Sequence, residues 1–126
     1  MNMPLPSRIV PILAGGGTRL PAHVGVLKAL DDLGIAYPHL VGVSGGSVVA
    51  ALAAVGKTTE YMKRLFREVD FSQFRGYSLT NLARHGGLSD GRRFERWMDS
   101  ELGGVRFCDL DVDLHVVATD GDDVHA

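Results

Sequence analysis

The chain has 126 residues, 45% apolar and 22% charged, which leaves room for one domain with one modest core and excludes a second independent domain, a disordered chain or a coiled coil. Lys and Arg number 13 against 15 Asp and Glu, a formal charge of −2, too balanced for a general nucleic-acid binder. A single cysteine, Cys108, rules out an intrachain disulfide and a thiolate zinc cluster, and fits a reducing, cytoplasmic compartment. The charge is uneven, with nine basic and five acidic residues from Lys57 to Arg96, then eight acidic residues and only Arg106 from Asp99 onward. Glycine, at 16 residues, is about twice as common as its usual share of roughly 7%.

In chain order, residues 8–14 form a short β-branched and aliphatic run that predicts a buried strand, with Pro11 as an objection to a central one. Gly15, Gly16 and Gly17 make the turn that follows. Val26, Leu27, Leu30 and Leu33 recur at helical spacing and predict a helix over 22–33, with Gly34 as a left-handed stop. Residues 39–43 predict a second strand, and 47–55 a helix apolar around most of its circumference, hence covered on several sides. The order strand, glycine-rich turn, helix, strand, tight turn, buried helix describes a βαβα unit with parallel pairing. Two amphipathic helices follow, over 59–69 and 92–102, and a third strand over 113–119. No run approaches the roughly 18 apolar residues of a spanning helix, so any membrane contact is expected to be peripheral.

Gly42-Val43-Ser44-Gly45-Gly46 is a G-x-S-x-G between a predicted strand and a predicted helix. A sharp strand-to-helix turn exposes the serine, glycine at 42 and 46 is expected to relieve crowding of the two positions, and the following helix aims its N-terminus at any anion formed there. Ser44 then reads as a nucleophile; equally, Ser44 or Ser47 could simply cap the helix. The loop Gly15-Gly16-Gly17-Thr18-Arg19 also sits between strand and helix, where converging backbone N–H groups suit a phosphate or an oxyanion. Adjacent parallel strands would bring both motifs side by side. Arg19 reads as a loop anchor rather than a substrate contact.

These motifs, together with the Val24 to Leu30 helix, Gly87-Leu88-Ser89-Asp90-Gly91 and Val116-Val117-Ala118-Thr119-Asp120, resemble the patatin-like phospholipases in order and spacing along almost the whole chain. The resemblance implies an open, mainly parallel α/β sheet with flanking helices. It also implies a serine acyl hydrolase acting on lipid acyl esters through an acyl-enzyme, by a Ser-Asp dyad without histidine and without metal or organic cofactor. Ser44 matches the nucleophile, and the amides of Gly15, Gly16, Gly17 and Thr18 match the oxyanion hole, where losing one donor costs about 2.7–4 kcal/mol.

There are two departures from the family pattern. Leu20 and Pro21 replace the glycine that usually follows the loop arginine, and the family's Asp-Gly-Gly or Asp-Gly-Ala motif does not occur in the 126 residues. The chain is therefore expected to be the N-terminal portion of the domain, incomplete at its C-terminal side. It would leave an exposed sheet edge for a missing segment or a second copy, and would be inactive alone if no base is supplied. Asp120 is the nearest candidate base, although it aligns with the strand end rather than the dyad. Ser44, Asp120 and His125 follow the chain order of a hydrolase triad, but the last two crowd one unanchored end. His23, His39, His85 and His115 are expected in loops or packing.

Two other classes remain open on sequence alone. Residues 12–21 look like the opening of sugar-phosphate nucleotidyltransferases, whose loop binds nucleotide phosphates, and a truncated hydrolase could bind lipid or a partner without turnover. Asp109, Asp111, Asp113 and Asp120 fit a calcium-loop spacing, but Leu114 stands where that loop needs glycine and the segment alternates like a strand. The basic stretch from Tyr61 to Trp97 reads as solvated helix faces or as a rest for an anionic lipid surface.

Overall fold

A computed structural model describes residues 4–16, 19–71 and 91–118. The first strand shrinks from the predicted 8–14 to β1 (Ile12–Leu13), with one parallel bridge upstream between Arg8 and Ala36. Pro11 accounts for the gap: it has no N–H to give the ladder, although its carbonyl accepts from the Val41 N–H at 3.0 Å. β2 (His39–Val43) is central, and β3 (Asp113–Val117) flanks it in the order β1-β2-β3, all parallel. Register pairs Leu13 with Gly42 and Val43 with Val117, so the ends of all three strands reach the same side of the sheet.

Helix α1 (Leu20–Asp32) starts two residues before the apolar spacing predicts, with Pro21 in its first turn, where a missing N–H costs no intrahelical bond. Gly34, at φ +66°, ends it: its N–H donates to Asp31 and the Ile35 N–H to Leu30, the double bond pattern of a left-handed C-cap. α2 (Gly46–Ala54) ends in the same way, with Gly56 at φ +87° donating to Ala53 and Lys57 to Leu52. α3 (Thr59–Glu68) is capped by Thr58, whose hydroxyl oxygen accepts from the Tyr61 N–H at 3.1 Å. α4 (Arg92–Leu102) stops at Gly103, φ +68°. It is tied to α3 by the Tyr61 hydroxyl, which donates to Glu101 at 2.7 Å, and by ring contacts that join Phe66, Phe71, Trp97 and Phe94 at 5.5 to 5.8 Å.

The buried core comes from one part of this assembly. Leu27, Leu40, Val49, Leu52 and Met62 are 0 or 1% exposed and belong to α1, β2, α2 and α3, each such side chain contributing about 1.5–3 kcal/mol. α2 is buried along six of its nine positions, as its all-round apolar sequence predicts. No residue of α4 or β3 is fully buried. β3 carries half-exposed Val116 and Val117. Among the described residues, no helix is long and apolar enough to cross a membrane.

Candidate active site

β2 ends at Val43 and α2 begins at Gly46, so the chain turns from strand to helix within two residues. The turn is made at Ser44, whose φ of +51° is, among the described residues, the only positive value outside glycine. A side chain in this region costs on the order of 1–3 kcal/mol, which stability alone would remove by substituting glycine. The helix is capped by Gly45, with no side-chain cap bond; the Ser44 carbonyl accepts from the Ser47 N–H at 3.0 Å. Neither Ser44 nor Ser47 therefore caps α2 through its hydroxyl. Ser44 is exposed, and the N-terminus of α2 lies directly behind it.

The two flanking glycines are required for different reasons. A Cβ on Gly42 would stand 2.5 Å from Ser47 Cα and 2.9 Å from Ala50 Cβ, so this glycine lets α2 lie flat against β2. A Cβ on Gly46 would collide with the Leu13 carbonyl at the end of β1. The crowding expected between positions 42 and 46 is thus crowding of each against a different element. The second contact brings the strand before the glycine loop onto the serine's helix.

The glycine loop meets the serine as a result. A Cβ built on Gly15 would lie 3.1 Å from Ser44 Cβ and 3.4 Å from its Oγ, so only glycine leaves the space before the hydroxyl open. Gly16 accepts through its carbonyl from the Arg19 N–H at 3.1 Å, closing a turn at the start of α1. Arg19 is exposed and contributes to this turn through its backbone. A side-chain tie comes from His23, one turn into α1, whose Nε2 lies 2.7 Å from the Ala14 carbonyl and donates to it. Gly17, Thr18 and Asp120 lie outside the described residues, as do residues 87–90 and His125.

Ser44 also lines an apolar cavity of about 570 Å³, with Leu20 at the start of α1. One wall is α2, through Ser47, Val48, Ala51 and Val55; another is α4, with Leu114 and Val116 of β3 beyond. None of the described residues lining it is charged. Among the described residues, no group of three or more His, Cys, Asp or Glu side chains could hold a metal ion. Asp113, one of the calcium-spaced aspartates, pairs instead with His39 across the sheet at 3.2 Å.

A family profile described as patatin-like phospholipase matches residues 12–123. The chain belongs to the patatin-like phospholipase family. Among curated proteins, this patatin-like chain is 28% identical to the neuropathy target esterase sws of Drosophila melanogaster and to that of Drosophila pseudoobscura pseudoobscura, over 86% of its own length. It spans only 8% and 7% of those proteins. The parallel α/β architecture and membership of a hydrolase family follow together. The structure brings Gly15, Gly42, Ser44, Gly45 and Gly46 together, with Gly16 in the adjoining loop; sequence reasoning expects His23 in a loop or in packing but not its bond to Ala14, and it missed the α2–α4 cavity.

Proposed function

We propose that this chain carries the nucleophile and oxyanion loop of a serine hydrolase acting on lipid acyl esters. The observation that carries the reading is Ser44 in a left-handed turn, beside Gly15 and lining a cavity whose described residues are all uncharged. In the reaction, Ser44 Oγ attacks the ester carbonyl carbon and gives up its proton to a base, forming a tetrahedral oxyanion. The N–H groups of Gly15 and Gly16, with those of Gly17 and Thr18 by family resemblance, receive that charge. Collapse breaks the ester C–O bond, the alcohol leaves with a proton, and water releases the acid from the acyl-enzyme. Asp120 is the candidate base within the chain, and the name of the Drosophila relatives, an esterase, agrees with the reaction class. The acyl ester is the expected partner, met at a lipid surface.

Labelling with a fluorophosphonate tests the assignment. The expected result is one adduct, mapped by mass spectrometry to Ser44, absent from Ser44→Ala at unchanged melting temperature. A natively folded chain that takes no adduct at Ser44, or is strongly stabilised by a nucleoside triphosphate, overturns it in favour of a nonreactive or phosphate-binding loop.

A further inference from the structure

We infer that the cavity beside Ser44 is a ruler for an acyl chain and that Ala51 sets the length it accepts, an inference that rests on Ser44 being the nucleophile. Two helical rows face one another across the cavity. On α2, Ser47, Ala51 and Val55 recur every fourth residue and so stack along one side of the helix; on α4, Phe94, Met98 and Leu102 do the same. The α2 row starts one turn from Ser44 and extends about 12 Å along the axis, at roughly 1.5 Å per residue. The slot is therefore directional: a chain whose carbonyl sits at Ser44 Oγ and which lies along α2 passes Ser47, then Ala51, then Val55.

The chemistry of the walls selects the occupant. Among the described lining residues there is no cation to pair with a phosphate, and burying that charge would cost several kcal/mol, so the phosphate stays outside and the alkyl part enters. Met98, on the facing row, has a flexible thioether that can follow such a chain. Ala51 is the smallest side chain of the α2 row and stands midway along it. It is the point at which a larger side chain would divide the slot into a near half, still reached from Ser44, and a far half that is not.

The test compares ethyl, octyl and hexadecyl fluorophosphonates on the intact chain. In each reaction the Ser44 Oγ–P bond forms as P–F breaks, fluoride departs and the hydroxyl proton passes to water. Labelling of the wild type is expected to quicken about two- to fourfold per added methylene until the slot is full. In Ala51→Phe the octyl-to-ethyl rate ratio is expected to fall at least tenfold. An unchanged ratio overturns the ruler while leaving the nucleophile intact. If Ala51→Phe does not fold, Met98→Trp narrows the slot from the other row and must lower the same ratio. If no reagent labels Ser44, the hydrolase reading has failed separately, and calorimetric titration with hexanoate, decanoate and palmitate then decides the slot. Affinity that rises with length in the wild type and levels off early in the variant supports the ruler, and affinity independent of length overturns it.

Discussion

Ser44 is held in a backbone conformation that its own side chain disfavours, and this has a measurable consequence. Glycine would release about 1–3 kcal/mol of left-handed strain but add about 0.5–1 kcal/mol of unfolded-state freedom. Ser44→Gly is therefore expected to be more stable than Ser44→Ala, by about 1 kcal/mol in urea titration, while both lose the adduct. A Ser44→Gly protein less stable than Ser44→Ala would mean the turn is held by its side chain and is not strained. The turn is legible in sequence because glycine two places either side of a serine at a strand end marks it, but what each glycine avoids is not: a Cβ on Gly42 would meet Ser47 and Ala50 of α2, and one on Gly46 the Leu13 carbonyl of β1. The His23 bond to Ala14 is not legible, since its acceptor is a backbone carbonyl and any residue type could supply it.

At the scale of elements, the ends of helices are the best-determined features. Gly34 and Gly56 mark their stops because a left-handed residue after the last turn is a demand that few side chains meet. β1 is the counterexample: a β-branched run predicts a long strand, and one proline reduces it to two ladder residues. Inward-facing residues of α4 are also predictable from spacing, but whether they meet a core or a cavity depends on what stands opposite, which spacing does not encode. The joint between α1 and β2 makes a pH prediction. Burial, then the hydrogen bond donated to Asp31 at 2.9 Å, pushes the Tyr37 phenol up from 10.0 to about 12. A proton bound more tightly in the folded state stabilises it fully below about pH 10, and this contribution disappears as pH rises through about 12. Tyr37→Phe is expected to cost about 1 kcal/mol at neutral pH, a modest value for a partly exposed bond. In urea titrations the gap to wild type should close between pH 10 and 12. A gap that persists at high pH would exclude the bond as its cause.

Across the whole molecule, stability is divided unevenly. The fully buried side chains lie in α1, β2, α2 and α3, whereas α4 and β3 contribute only partly buried ones. Native-state hydrogen exchange is expected to find the slowest amides in β2 and α2 and distinctly faster ones in α4. Equal protection in α4 would show a single cooperative unit. The cavity thus lies between a well-anchored helix that follows Ser44 and a less anchored one. The parallel sheet order was legible from the alternation of strand and helix; this division was not, because it depends on which faces meet.

The contact of Gly46 with the Leu13 carbonyl reaches furthest. It joins the strand before the glycine loop to the helix after Ser44 backbone to backbone, with no side chain between them. The separation of loop and hydroxyl is then indifferent to most replacements elsewhere. A site built in this way depends on a hydrogen at position 46, whatever side chains surround it.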